Sequence, residues 1–246
     1  MENGRTTVIL STQRGMIALD SPVKLKILEI LENGTASFDE LVEKSMKAKS
    51  TISVHLNDLK ELDLIREKTF PHDKRKKFFV LNAIYLAYSQ TPLNNHYNIQ
   101  MDCISISNGN SFKEKLFCTL RYGMEAYGID PTPILKTLGN NIGERIGPEL
   151  KSRSFGGILE ELSDFWAKHE LGEMNVLKGD QTEISVIDCY NCGKMPDVGK
   201  TLCSMDEGII EGVLSSKLKS EFRVKEIECY GTGHDNCKFV IEKVEV

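Results

Sequence analysis

The chain has 246 residues, of which 40% are hydrophobic and seven are prolines, and its formal net charge is −5. This length and composition predict one large or two ordinary folded domains and exclude a disordered chain. No apolar run approaches the ~20 residues of a membrane span, and the opening residues Met1–Arg5 are not typical of a signal peptide. We therefore expect a cytoplasmic protein without a membrane partner.

Charge and cysteines are distributed unevenly along the chain. Residues 1–90 hold 14 Lys and Arg against 12 Asp and Glu, a net charge of +2, whereas residues 91–246 hold 17 against 24, a net charge of −7. A slightly basic first part favours contact with nucleic acid. All seven cysteines follow residue 102. An odd number of cysteines in a cytoplasmic chain indicates metal or thiol chemistry rather than a disulfide framework.

Three helices are predicted within the first 62 residues. The first begins at the N-cap Ser21 and stops at Gly34. The second follows Ser37, and Glu40 completes a capping box with that serine. The third is predicted from Ser50, as its N-cap, to Leu62.

The third helix has two distinct faces. Ile52, Leu56 and Leu59 recur at helical spacing, so this stripe must pack on a core. The outer face combines a lysine with short polar or methyl-bearing side chains: Lys49, Ser50, Thr51, Ser53, Val54 and Asn57. Such a surface can enter a DNA major groove while lysine and backbone N–H groups reach phosphate. An ordinary amphipathic helix would show the same apolar stripe.

A basic hairpin follows the third helix. An extended segment begins at Asp63–Ile65, a turn is predicted at Pro71–Asp73, and Lys74–Leu81 returns as a strand. The order helix, helix, helix, hairpin, with the sequences LDSPVKLKILEIL, SFDELVEKS and STISVHLNDLKELDLI, resembles the ArsR-like winged helix family. The resemblance implies that the third helix reads the groove of double-stranded DNA. It also implies that the wing grips the DNA backbone through Arg66, Lys68, Lys74, Arg75, Lys76 and Lys77.

The resemblance has one exception, and the flanks of the winged helix leave alternatives open. Metal-sensing members of that family often carry cysteines near the reading helix, and this stretch has none. Thr7–Leu10 is β-prone and is expected to pack on its own domain or on a second subunit. Ala83–Tyr88 is expected to extend helically, and residues 91–110 are interpreted as a connector. Because winged-helix proteins often dimerise through flanking helices to read two half-sites, we predict a homodimer.

The pattern changes at Ser111. Helices are predicted at residues 112–127, 131–150, 155–171 and 205–218. Strands are predicted at residues 173–177, 183–188, 222–230 and 238–244. The predicted fold class is α+β: a winged helix-turn-helix domain over residues 1–90, then an α+β sensor domain with an antiparallel sheet over residues 111–246. Gly139, Gly143 and Gly147 recur every four residues, which indicates close helix packing or a bare face that lines a small-molecule cavity.

The densest chemistry lies near the C-terminus. Cys229 and Cys237 flank a glycine-rich turn, and Cys203 precedes a predicted helix. Zinc takes four tetrahedral ligands, for which thiolate and carboxylate groups serve. Glu226 stands three positions before Cys229, so a regular strand would place the two on opposite faces. A bulge or an edge position is needed for both to reach one ion.

Residues from about 110 to 246 resemble the 4-vinyl-reductase sensor domain. In phenol-sensing bacterial regulators with this domain, three cysteines and one glutamate hold zinc. The resemblance implies a zinc site formed by Cys203, Glu226, Cys229 and Cys237, with His234 as a substitute ligand if Glu226 points away.

Cys189 and Cys192 form a C-x-x-C pair outside that ligand pattern. Such pairs are often metal ligands or a redox couple, and they are also found as inert strand-end cysteines. An ArsR-like reader joined to this sensor domain resembles the redox-responsive transcription regulators of methane-producing archaea (the MsvR group). The resemblance implies that Cys189 and Cys192 are redox switch thiols that alter operator binding.

Two other functions remain open at this point. One is a regulator that senses a small hydrophobic or aromatic effector, in a pocket lined by Tyr127, Phe155, Phe165 and Trp166. The other is a thiol oxidoreductase that uses Cys189 and Cys192. No nucleotide-binding glycine motif or His–carboxylate constellation is evident, so we predict a regulator and no enzymatic activity.

Overall fold

The computed structural model describes residues 7–70, 73–102, 104, 112–177, 182–193, 195 and 197–244. The chain divides into two compact units, residues 1–91 and residues 92–246. No helix within these described ranges combines the length and the apolar character that crossing a bilayer requires.

The first unit contains three helices and two small sheets. Its helices are α1 (Pro22–Glu32), α2 (Phe38–Ser45) and α3 (Lys49–Glu61). Its strands are β1 (Val8–Thr12), β2 (Gly15–Leu19), β3 (Ala36–Ser37), β4 (Ile65–Phe70), β5 (Asp73–Leu81) and β6 (Ile84–Ser89). Strands β3, β5 and β4 form an antiparallel sheet in that order, so β4 and β5 are the wing hairpin.

One core holds this unit together. Ile27, Leu41, Ile52 and Leu59 are fully buried, so each of the three helices contributes its apolar stripe. The predicted capping box of α2 is present, because Ser37 and Glu40 hydrogen-bond each other's backbone N–H groups.

Two predictions about this unit are wrong. Helix α3 begins at Lys49 after the extended residue Ala48, and no side chain caps it, so Ser50 is not the N-cap. The segment predicted to extend helically is strand β6, since its β-prone side chains pair antiparallel with β1. Strand β1 also pairs with β2 and buries Val8 and Leu10, so the N-terminal segment packs on its own domain.

The second unit is α+β. Its helices are α4 (Asn94–Asp102), α5 (Phe112–Ala126), α6 (Thr132–Ile146), α7 (Phe155–Lys168) and α8 (Ser204–Leu218), and short 3-10 turns cover Gly147–Glu149 and Tyr230–Thr232. Its strands are β7 (Ile129–Asp130), β8 (Glu173–Leu177), β9 (Thr182–Ile187), β10 (Phe222–Glu228) and β11 (Cys237–Lys243). The last four form an antiparallel sheet in the order β10-β11-β9-β8.

Glycines allow α6 and α8 to pack with their backbones in contact. A Cβ atom added to Gly143 would overlap the carbonyl oxygen of Ile209, and one added to Gly212 would overlap that of Asn140. The glycine pattern of α6 therefore reflects close helix packing, and its bare face does not line a cavity.

Candidate nucleic-acid interface and candidate metal centre

Helix α3 presents a polar face to solvent. Ile52, Leu56 and Leu59 are buried against α1 and α2. On the other side Lys49, Ser50, Ser53, Val54 and Asn57 are exposed, and Thr51 is half-buried. Val54 is 58% exposed, which is unusual for a valine without a partner surface. These side chains are short enough to approach base edges.

Ion pairs position α3 and leave its N-terminus accessible. Lys24 of α1 lies 2.9 Å from Asp58 of α3, and its hydrogen bond lowers the pKa of Asp58. Lys49 lies 3.1 Å from Asp39 of α2, and both side chains are largely exposed. Because an exposed pair of this kind contributes only about 0–1 kcal/mol, Lys49 can exchange Asp39 for a phosphate.

The wing is basic, and only part of it is described. Arg66 and Lys68 are exposed on β4. Lys77 lies 3.2 Å from Glu67, which also holds Lys60 at 2.6 Å. The hydrogen bond from Lys60, followed by that from Lys77, lowers the pKa of Glu67. The side chains of Lys74, Arg75 and Lys76 lie outside the described part of the chain.

Five cysteines of the second unit form one buried cluster. Cys189 and Cys192 lie in the turn after β9, Cys203 directly precedes α8, Cys229 follows β10, and Cys237 begins β11. The Sγ atom of Cys192 lies 3.1 Å from that of Cys237, 3.3 Å from that of Cys203 and 3.6 Å from that of Cys229. Cys203 Sγ lies 3.6 Å from the Sγ atoms of both Cys189 and Cys237. All five are thiols rather than disulfides.

A β-bulge brings Glu226 to the same cluster. Glu226 pairs with Phe239 and Glu228 pairs with Lys238, so strand β10 carries one extra residue between these pairs. The bulge reverses the alternation that would otherwise separate Glu226 from Cys229. This is the irregularity that the sequence required for both residues to meet one ion.

Glu226 is buried with one oxygen in use. Its Oε2 atom accepts hydrogen bonds from the backbone N–H groups of Leu202 at 3.0 Å and Cys203 at 2.8 Å. Its Oε1 atom is buried and accepts no hydrogen bond within the described residues. Burial, followed by the nearby charge of Cys229, raises the pKa of Glu226 to about 9. Burial likewise raises the pKa of the Cys203 thiol.

The donor atoms form two overlapping groups of four. The ligand atoms of Cys203, Glu226, Cys229 and Cys237 all lie within 4.8 Å of one another, and so do those of Cys189, Cys192, Cys203 and Cys237. Sequence reasoning treated the C-x-x-C pair as a separate site, whereas the fold joins it to the other cysteines. His234 is exposed and contacts Thr232 instead, so it lies outside the cluster.

This donor set fits zinc. The sulfur separations of 3.1 to 3.9 Å bracket the roughly 3.8 Å between two sulfurs bound tetrahedrally at about 2.3 Å. The unpartnered Oε1 of Glu226 is an available oxygen ligand. Four cysteines therefore cluster in a way that could bind a metal ion.

Sequence reasoning missed the polar residues around the cluster. Arg121 is 2% exposed on α5 and donates a hydrogen bond to the Leu202 carbonyl, next to Cys203. Asn191 donates to the same carbonyl at 2.7 Å. Arg121 alternates with apolar residues on a helix, which is also the pattern of a solvated arginine, so only the fold reveals its burial beside the thiols.

The four aromatic residues proposed as an effector pocket do not surround one cavity. Phe155 and Trp166 lie eleven residues apart on α7, roughly 16 Å along its axis. Trp166 is buried in the core, whereas Tyr127 is 81% exposed. Phe155 instead lines a separate cleft with Leu218, Phe222, Ile241 and polar neighbours.

Comparison with known families assigns both parts of the chain. Residues 21–67 match the arsR family of bacterial regulatory proteins, and residues 182–243 match the 4-vinyl-reductase domain. The chain is 29% identical over 136 residues to the uncharacterized protein MJ0150 of Methanocaldococcus jannaschii, covering 54% of this chain and 78% of that protein. It is 27% identical over 139 residues to MJ1642 of the same organism, covering 56% and 81%.

Two solved structures are similar at low identity. A vinyl-4-reductase family protein from M. jannaschii is 16% identical, with a TM-score of 0.41, and the match covers 61% of this chain and 90% of that one. The phenol-responsive sensory domain of the transcription activator PoxR is also 16% identical, with a TM-score of 0.38, covering 79% and 90%.

The architecture is that of a DNA-binding transcription regulator and not of an enzyme. More specifically, the chain joins an arsR-type helix-turn-helix segment to a 4-vinyl-reductase domain, which is a sensor-type domain.

Proposed function

We propose that the protein is a homodimeric transcription regulator that binds operator DNA in the cytoplasm. The outer face of α3 reads the major groove, and the basic wing contacts phosphate. The thiol state of the cysteine cluster sets the DNA affinity. The exposed short side chains of α3 and the uncovered Val54 support the first part of this proposal. A dimer would place two α3 helices on neighbouring half-sites.

The observation that carries the regulatory part is the joining of the C-x-x-C pair to the other cysteines. Cys192 contacts Cys203 and Cys237 within 3.3 Å, so oxidation of Cys192 must alter a site that also anchors α8 and β11. A disulfide shortens and fixes the local geometry. It changes DNA affinity if one arrangement of the dimer fits the operator better than another.

Zinc gives this cluster a structural function as well. Held by Cys203, Glu226, Cys229 and Cys237, the ion would link the start of α8 to strands β10 and β11. A bound zinc ion neutralises buried thiolates and contributes directly to folding free energy. Arg121 would offset part of the remaining negative charge, since it lies beside Cys203.

The test is DNA binding in defined thiol states. Fluorescence anisotropy or gel shifts on fragments of the protein's own promoter, with and without reductant, should show specific binding whose affinity changes at least about tenfold, or about 1.4 kcal/mol, between the two states. Cys192→Ser should abolish the difference. Cys118→Ser is the matched control and should preserve it, because Cys118 contacts Asn191 O and belongs to neither ligand group. No binding to any fragment in either state would refute the proposal.

A second candidate is a regulator that responds to a small apolar effector. The cleft beside Phe155, Phe222 and Ile241 supports it. In that case a small aromatic compound shifts DNA affinity, whereas reductant and oxidant do not. The same binding assay therefore separates the two candidates.

A further inference from the structure

We propose that one zinc ion alternates between the two overlapping groups of four ligands, and that the redox state of Cys189 and Cys192 selects the group. Cys203 and Cys237 bind the metal in both states. Cys189 and Cys192 complete the site when they are reduced, and Glu226 and Cys229 complete it when that pair is oxidised. This inference deepens the proposed function and rests on its zinc site.

Geometry makes the two groups mutually exclusive and nearly superimposed. They share Cys203 and Cys237, whose Sγ atoms are 3.6 Å apart. A tetrahedral ion binds four ligands, so five thiols and one carboxylate leave two groups uncoordinated. Each group supplies four negative charges when its ligands are deprotonated, so a Zn²⁺ site has a net charge of −2 in both. Moving between the groups therefore leaves the charge of the buried site unchanged.

The reduced state favours the four cysteines. The turn that carries Cys189 and Cys192 is closed by the Gly193 N–H, which donates to the Cys189 carbonyl at 2.8 Å. Asn191 fastens this turn to the Cys203 segment through the Leu202 carbonyl. Because thiolate is a softer ligand than carboxylate, four sulfurs outcompete three sulfurs and the oxygen of Glu226.

Glu226 is arranged to accept the metal without any movement of its backbone. Its Oε2 atom is fixed by two backbone N–H groups of the Cys203 segment, while Oε1 remains unpartnered beside the thiols. The β-bulge holds Cys229 at the same site, 3.6 Å from Cys192 and 3.9 Å from Cys237. The second group is thus assembled in the same structure as the first.

The redox step needs a two-electron oxidant, for which hydrogen peroxide suffices. The zinc-bound thiolates of Cys189 and Cys192 give two electrons to peroxide and form one S–S bond, while the O–O bond breaks and two water molecules form. Two protons are consumed, and Cys229 and Glu226 supply them as they bind the metal. Two Zn–S bonds break, and one Zn–S and one Zn–O bond replace them. A C-x-x-C turn suits this disulfide, because its Cα atoms lie less than ~7 Å apart.

The first experiment uses the full-length wild-type protein, so no variant has to fold. Zinc content and the sulfur-to-oxygen ligand count from X-ray absorption are measured before and after one equivalent of peroxide, with the disulfide mapped by mass spectrometry. We expect one zinc with four sulfur ligands, then one zinc with three sulfurs and one oxygen and a Cys189–Cys192 disulfide. Release of zinc as that disulfide forms, or an unchanged ligand count, would overturn the inference.

Variants test each ligand group separately. Cys229→Ser should bind one zinc through four sulfurs and should release it on oxidation. Cys189→Ser/Cys192→Ser should bind one zinc through three sulfurs and one oxygen and should keep it when peroxide is added. Cys203→Ser, which damages both groups, should retain less than one zinc per chain, and Cys118→Ser should behave as wild type. Circular dichroism confirms that each variant is folded.

The outcomes separate this inference from the proposed function. If reduced Cys229→Ser contains no zinc, or if the double serine variant contains none, one fixed ligand group is sufficient and the alternation is wrong. A wild-type protein without zinc would overturn the inference together with the proposed zinc site. Operator binding is measured independently, so it can succeed or fail in either case.

Discussion

At the scale of single residues, exposed side chains of the first unit carry the expected DNA affinity. Arg66→Ala removes an exposed guanidinium from β4, so we expect weaker binding to every fragment and a smaller slope of log K against log salt, by about one unit. Titrations at several salt concentrations measure this slope. Lys225→Ala, an exposed lysine of the second unit, should leave it unchanged. A loss restricted to one DNA sequence would contradict a phosphate contact.

One backbone conformation gives a stability prediction. Lys219 ends α8 in the left-handed region, with φ of 55°, and its side chain is exposed. This conformation costs an L-residue roughly 1–2 kcal/mol. Part of that cost disappears in glycine, so Lys219→Gly should stabilise the second unit by about 1 kcal/mol.

Urea denaturation followed by the fluorescence of the single tryptophan, the buried Trp166, measures that change within the second unit. The control is the same substitution in regular helix. Lys168→Gly, in the last turn of α7, should destabilise by about 1 kcal/mol. Equal effects at both positions would refute the backbone argument.

At the scale of elements, the contact between α6 and α8 determines how the second unit packs. Gly143→Ala would place a methyl group against the Ile209 carbonyl. The two helices would have to separate, and we expect a loss of about 3 kcal/mol or more, at or above the upper end of usual overpacking costs. Urea denaturation with Trp166 fluorescence is again the measurement.

A glycine on a neighbouring helix supplies the comparison for that contact. An added Cβ on Gly156 of α7 meets no atom within 4 Å. Gly156→Ala should therefore be neutral or stabilise by up to ~1 kcal/mol, because alanine favours helix. Similar destabilisation by both substitutions would indicate that glycine serves backbone freedom in α6 rather than close packing.

At the scale of the whole molecule, the two units should respond differently to metal removal. All ligands of the candidate site belong to the second unit. A strong chelator under reducing conditions should lower the urea midpoint reported by Trp166, because a metal that binds only the folded state stabilises it by mass action.

Stability of the first unit provides the internal control. Because it contains no ligand of the site, its part of the far-UV circular dichroism transition should keep its midpoint in chelator. Zinc added back should restore the tryptophan transition. An unchanged Trp166 midpoint would mean that the cluster gains no stability from a metal.

Local features of the chain were readable before folding was considered. The stripe of Ile52, Leu56 and Leu59 defines one face of α3 because helical spacing alone places these residues together. The Ser37–Glu40 capping box lies within four residues, so neighbouring sequence is sufficient to recognise it. The chemistry of thiols and carboxylates likewise indicated a metal centre. The same local reasoning misplaced the start of α3, since its first turn begins without a side-chain cap.

Tertiary structure alone decided which cysteines meet. Strand β11 pairs antiparallel with β9, and Cys237 lies opposite Val186, three residues before Cys189. This register brings the C-x-x-C turn to a cysteine 45 residues away, and the bulge in β10 adds Glu226. Sequence spacing cannot specify such contacts, because strand pairing between distant segments depends on which apolar faces bury one another in the whole domain. The residue types that could bind a metal were therefore determined by the sequence, while their union in one cluster was decided by the register of the sheet.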